Sequence, residues 1–216
     1  MTGAPNTGPL KGMKVIELAH IMAGPVAGLM LADMGADVIK VERPNGDDTR
    51  RFLPPDIEGE SAAFMMMNRN KRGSRLDIRT AAGKAALLRL IEQADCLIEN
   101  YRHDTMEKLG LGYEELKKIN PALIYCEISG FGRTGPYRER GGFDLIAQGM
   151  SGLMSITGEG PGRPPIKVGA PVSDITAGIL GAMGIVGGWL PIAVGAGFAN
   201  RLRGNGAVSV AFFGDG

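Results

Sequence analysis

The sequence predicts an α/β fold built on a parallel sheet. Three observations carry this expectation. Short β-type apolar runs recur along the chain, and segments with helical apolar spacing separate them. Joined by right-handed crossovers, that alternation closes into a parallel sheet with helices packed on it. The 216 residues, 44% hydrophobic and 22% charged, are enough for a sizeable core and are neither disordered nor fibrous in composition.

Each element follows from local chemistry. Met13–Leu18 (MKVIEL) is a strand, followed by the turn-like Ala23-Gly24-Pro25 and a helix over Pro25–Met34, because Pro suits a first helical turn. Asp37–Glu42 (DVIKVE) is the second strand, and a polar, Pro-containing excursion covers 44–60. Ala81–Gln93 has a helical stripe at Ala86, Leu87, Leu90 and Ile91. Asp95–Glu99 and Ala122–Ser129 are the third and fourth strands. Phe143–Met154 reads as one helix, Gly158–Pro165 as a loop, and the chain is helical again from Ser173.

Composition excludes several function classes. With 24 Lys+Arg against 23 Asp+Glu, no basic stripe or acidic tail organises the chain, so no nucleic-acid partner is expected. Cys96 and Cys126 are the only cysteines, too few for a disulfide framework, and no metal-type Cys/His spacing exists. Met1–Lys11 lacks the apolar stretch of a signal peptide, which makes a reducing cytoplasm the expected location. Ile175–Asn200 carries no charge over 26 residues, but its seven glycines and a Pro favour a buried helix pair over a membrane span, and no membrane partner is expected.

Two features bear on chemistry. Cations follow the strands in three places: Arg43 with Arg50 and Arg51, then Lys71-Arg72, then Arg102-His103. Guanidinium forks suit phosphate oxygens, although solvated loop charge gives the same pattern. Gly130–Gly135 (GFGRTG) leads into Pro136 rather than a helix, which argues against a dinucleotide fingerprint. Asp174, in GAPVSDITAG, stands at the start of an apolar helix. There Ser173 or Asp174 can cap free N–H groups, and the helix dipole favours an ionised carboxylate. A plain cap and a carboxylate nucleophile both fit.

Residues 9–184 resemble the N-terminal portion of the class III CoA-transferases, the formyl-CoA and carnitine CoA-transferase family. The motifs that carry this are Pro9–Leu18, Ala23-Gly24-Pro25, Leu31–Glu42 (LADMGADVIKVE), Asn68–Arg72 (NRNKR), Leu76-Asp77-Ile78, Glu99-Asn100-Tyr101, Ser129–Gly132 (SGFG) and the Asp174 block. The resemblance implies a Rossmann-like parallel sheet with flanking helices, an incomplete N-terminal part of the family's large domain. It implies CoA transfer from an acyl-CoA to a carboxylic acid, with Asp174 catalytic through an aspartyl-CoA intermediate. By the same resemblance Arg43, the Leu76-Asp77-Ile78-Arg79 strand, Asn100, Tyr101, Arg102, Lys108, Phe143 and Asp144 line the coenzyme A groove. No metal or tightly bound cofactor is implied; the CoA thioester is substrate, and the full-length family forms homodimers. Related α-methylacyl-CoA racemases place a His where this chain has Phe143, so two-base proton exchange lacks one partner. A non-catalytic CoA-binding remnant is another alternative, and a third, a fragment of a cofactor-dependent dehydrogenase, rests on the tail after Gly184.

After Gly184 the pattern changes. Gly184–Ala199 and Val208–Gly216 resemble the alpha subunit of thiamine-diphosphate-dependent 2-oxo-acid dehydrogenases, whose Gly-Asp-Gly (214–216) opens a diphosphate site. The expected organisation is therefore 1–184 as the transferase part and 185–216 as a foreign Gly-rich helix and strand. Without the family's remaining chain, activity is expected to be weak.

Overall fold

Alternating side chains on short β-branched strands give one sheet two apolar faces. The computed structural model of the chain describes residues 7–187. Its sheet contains β1 (Lys14–Glu17), β2 (Asp37–Glu42), β5 (Arg72–Arg75), β6 (Cys96–Glu99) and β7 (Ile124–Glu127). The order is β5-β2-β1-β6-β7 and every pairing is parallel. A small antiparallel pair, β3 (Asp56–Ile57) and β4 (Glu60–Ser61), lies in the 44–61 excursion.

The helices are α1 (Ala23–Asp33), α2 (Ala62–Asn68), α3 (Ala81–Ile91), α4 (Thr105–Lys108), α5 (Tyr113–Ile119), α6 (Asp144–Met150), α7 (Leu153–Ile156) and α8 (Val172–Ile185). Register decides which face each strand residue serves. Ile16 and Leu97 pair and join Val41, Leu87 and Ile91 of α3, Met106 of α4 and Leu116 of α5 on one face. Val15 and Cys96 pair and join Val38, Ile98, Ala27 and Leu31 of α1 and Ala182 of α8 on the other. Leu31, Leu87, Ile91, Leu97 and Ile98 are fully buried, each worth about 1.5–3 kcal/mol of transfer free energy.

The α/β class and the parallel sheet agree with expectation, and four details differ. The strand beside β2 is Arg72–Arg75, whereas Leu76–Arg79, expected as strand, follows it as extended chain and turn. Only the Leu76 N–H continues the ladder, donating to the Glu42 carbonyl at 2.9 Å. Phe143–Met154 is not one helix: Gly152 at φ +80° separates α6 from α7, a conformation that suits a residue without Cβ. Helix α1 begins at Ala23, with Pro25 inside its first turn. The strand expected at Ala122–Ser129 is confined to Ile124–Glu127.

No helix among the described residues is long and apolar enough to cross a membrane, and among them no His/Cys/Asp/Glu cluster could hold a metal. Most of the tail singled out after Gly184 lies outside the described residues.

Candidate active site

In a parallel sheet the loops that leave the strands' C-terminal ends gather at one edge. The loops after β1, β2, β6 and β7 meet the start of α8 around a cleft of about 470 Å³ lined by His20, Arg43, Tyr101, Arg102, Phe143 and Asp174, among others. A neighbouring cleft of about 350 Å³ is lined by Leu76, Asp77, Ile78 and Arg79, and shares Arg43 and Tyr101 with the first. These residues come from six separate stretches of sequence and border adjoining clefts that reach from Asp174 to Arg79.

Asp174 sits in the first turn of α8, half-buried. Neither it nor Ser173 caps the helix. The N-cap is Pro171, which offers no side-chain bond, and the Ser173 N–H is taken by Asp144 Oδ1 from α6 at 2.9 Å. Asp144 Oδ2 accepts from Gln148 Nε2 at 2.7 Å, and the fully buried Gln148 accepts the Val168 N–H at 2.8 Å. Helix α6 thus clamps the segment that leads to Asp174. The Asp174 carboxyl stands above the ordinary aspartate value, first because burial penalises its charge and then because the Asp144 carboxylate repels it. Burial outweighs the helix dipole that favours ionisation.

The expected cations separate into two groups. Arg43 borders both clefts and Arg102 borders the first. Arg50 is instead spent on Glu42, in two bonds of 2.7 Å, and stacks its guanidinium 3.6 Å from the Phe64 ring centroid. Arg51 pairs with Asp48 at 2.6 Å. Lys71 is buried against Glu17 at 2.7 Å, and Arg72 pairs with Asp37 at the far edge of the sheet. The charges at 70–72 are therefore paired within the chain, Lys71 buried and Arg72 at the surface.

Asn100 and Tyr101 also divide. The Asn100 amide brackets His20, accepting its N–H at 2.9 Å and donating to its carbonyl at 2.7 Å. Tyr101 lines both clefts, and its N–H is held by Glu99 Oε2 at 2.7 Å. Glu99 is buried, and burial above all pushes its carboxyl up to about 7. Asp77 and Arg79 pair with each other at 2.8 Å. Lys108 ends α4 exposed and borders neither cleft. Asp144 likewise reaches the site through Ser173 rather than as lining.

Sequence reasoning missed His20, Arg138 and Arg140 as lining residues, and His103, noted only as a cation after a strand, lines the cleft as well. His103 points Nε2 at Asp104 at 3.1 Å, while its buried Nδ1 has no hydrogen-bond partner. None of these carries a local motif; only their positions after strand ends could have flagged them. The two thiols offer no competing nucleophile: burial pushes Cys126 up to about 11 and Cys96 higher still.

Comparison with known proteins bears on this arrangement. The family model described as CoA-transferase family III matches residues 10–190. A succinate–glutarate CoA-transferase from Agrobacterium fabrum is 54% identical over 187 residues, covering 83% of this chain and 46% of the relative. A succinyl-CoA:mesaconate CoA-transferase from Haloarcula hispanica is 46% identical, covering 83% of this chain and 47% of the relative. The crystal structure of a CAIB/BAIF family protein from Brucella suis aligns with a TM-score of 0.80 at 49% identity, covering 88% of this chain and 51% of that one. The chain thus spans about half the length of the relatives it matches. The match runs past Gly184, and nothing in these comparisons supports the second resemblance suggested for 184–216. By the extent of the family match, the chain belongs to CoA-transferase family III.

Proposed function

We propose that this chain carries the nucleophile and part of the coenzyme A groove of an enzyme that moves CoA from an acyl-CoA to a free carboxylic acid. The observation that carries the reading is Asp174: a half-buried carboxylate on a helix start, bordering a cleft that opens past Arg43 toward Arg79. The names of relatives, which pair succinyl-CoA with glutarate or mesaconate, favour dicarboxylic acids as the two acyl partners.

In this reading the Asp174 carboxylate attacks the donor's thioester carbonyl. The C–S bond breaks, CoA leaves as thiolate, and a mixed anhydride forms. The thiolate then attacks the aspartyl carbonyl, which releases the donor acid and leaves an aspartyl-CoA thioester. The acceptor carboxylate attacks that thioester and again expels the thiolate. Attack of the thiolate on the acceptor's acyl carbon then frees Asp174 and forms the new acyl-CoA. Covalent catalysis divides one difficult exchange into steps of similar chemistry. The raised basicity of Asp174 suits it to attack, while the Val172 and Ser173 amides at the α8 start are already bonded to the Ala170 carbonyl and Asp144. Arg102, Arg138, Arg140 and Arg43, the last paired with Asp48, are the cations bordering the cleft for phosphate oxygens of CoA. Asp144 acts through Ser173, and Lys108 would need to reach the groove from its rim. Phe143 at the cleft, in place of an imidazole, disfavours racemisation.

The test is adduct trapping. Incubation with succinyl-CoA followed by hydroxylamine should place a hydroxamate on Asp174 by peptide mass spectrometry, and Asp174→Asn should abolish it. CoA binding without any adduct in wild-type chain would favour a binding remnant instead.

A further inference from the structure

The wall of the cleft formed by residues 19–22 and the first turn of α1 is tied down by buried charge. Ile21 adopts φ +68°, a left-handed conformation that a β-branched residue strongly disfavours. Its N–H is gripped by both oxygens of Asp47, at 3.1 and 3.2 Å. Asp47 is 2% exposed and also accepts from the Thr49 N–H and hydroxyl, at 3.0 and 2.8 Å. Lys40 Nζ lies 2.9 Å from Asp47 and 3.0 Å from Glu17, and donates to the Ala19 carbonyl at 2.8 Å. Lys71 Nζ lies 2.7 Å from the other Glu17 oxygen and donates to the Pro25 carbonyl at 2.8 Å. The four side chains are almost completely buried.

The quartet reaches Ala19 and Ile21 in the loop after β1 and Pro25 in the first turn of α1. That segment presents His20, Ile21, Met22 and Ala23 to the cleft that Asp174 borders. A buried ion network is weak support for stability as such, because well-packed apolar residues serve as well. What these charges supply is direction: the Lys40 ammonium and the Asp47 carboxylate fix backbone groups of the 19–22 loop, and Lys71 anchors the α1 start beside it. We propose that Asp47, with Lys40, Glu17 and Lys71, is a positioning residue that holds the strained 19–22 loop and the adjoining α1 start in the shape the CoA cleft requires. Asp47 itself follows Arg43 on the loop after β2, so one carboxylate ties the cation-bearing loop to the neighbouring wall.

The inference rests on the CoA-binding reading of this cleft, and the experiment separates the two. Hydrogen exchange of the peptide spanning 18–25 reads loop position without ligand, while calorimetry with CoA reads the site. Asp47→Asn should expose the loop to exchange, leave the β6 core protected and weaken CoA binding about tenfold. In an Ile21→Gly background, where the left-handed conformation costs little, the same substitution should lose much less. Asp47→Glu keeps the charge and moves the acceptor; should Asp47→Asn not fold, it is expected to shift exchange and affinity in the same direction. Unchanged loop exchange in these variants would overturn the proposal. So would an opened loop with CoA affinity intact, or an equal loss in the Ile21→Gly background. Wild-type chain that protects its loop yet binds no CoA would refute the functional reading, and with it the loop's role in that site.

Discussion

Asp144 Oδ1 accepts the Ser173 N–H at 2.9 Å, so the helix that carries Asp174 is capped by a carboxylate 29 residues upstream. The same carboxylate raises the Asp174 carboxyl by repulsion. Capping and tuning can be separated by substitution. Asp144→Asn keeps an acceptor for Ser173 and removes the charge, but turns a donor toward Gln148 Nε2; it should lower the Asp174 value at a cost of about 1 kcal/mol. Asp144→Ala removes both and should cost about 1 kcal/mol in addition. Carboxyl titration by NMR, with thermal unfolding, reads the two effects. An Asp174 value that does not move in either variant would contradict the coupling.

Glu99 makes stability depend on pH in a defined direction. Its carboxyl stands at about 7 in the folded chain against an ordinary 4.5. The folded state therefore holds a proton that the unfolded state releases between these values. That stabilisation is complete below about pH 4.5 and disappears as pH rises through about 7. Glu99→Gln, uncharged throughout, should gain on wild type between about pH 5 and pH 8, by up to about 3 kcal/mol. Urea unfolding at the two pH values checks this, and a pH-independent difference would contradict it.

How much of this was legible in the sequence depended on burial. Asp37–Glu42 and Cys96–Glu99 announce themselves because buried central strands are apolar on both faces. Arg72–Arg75 does not, since an edge strand of Arg, Gly and Ser lying mostly exposed has no apolar pattern. Asp174 stood out by its motif at a helix start, but its cap comes from another helix, which local pattern cannot reveal. Lys71 looked like loop charge and proved buried, because a charged side chain's environment is set by distant partners such as Glu17. The break at Gly152 was missed because apolar spacing continues through it.

Helices α1 and α8 approach each other at Gly178, and this contact fixes how Asp174 stands beside the 19–22 loop. A Cβ at Gly178 would lie 2.5 Å from the Ala23 carbonyl oxygen and 2.7 Å from Val26 Cβ. Gly178→Ala should cost about 1–3 kcal/mol by overpacking. Gly184, on the same helix with nothing within 4 Å of such a Cβ, provides the comparison. Gly184→Ala should stabilise by about 0.5–1 kcal/mol. Equal effects at the two sites would show that helix propensity, rather than the close approach, governs both.

Lys40 offers the sharpest separation between buried charge and packing. It is 2% exposed and stands between Glu17 and Asp47 at 3.0 and 2.9 Å. Lys40→Met keeps most of the volume and leaves two buried carboxylates, with Lys71 reaching Glu17 alone. At neutral pH the loss should be about 3–5 kcal/mol, the cost of an uncompensated buried charge. At acid pH that cost should shrink, because Asp47, held low by the Lys40 ammonium in the wild type, can then take up a proton. Stability of the variant relative to wild type should therefore improve as pH falls toward about 4. Lost packing alone would give a penalty that does not change with pH. Unfolding curves at two pH values decide which force holds Lys40 in place.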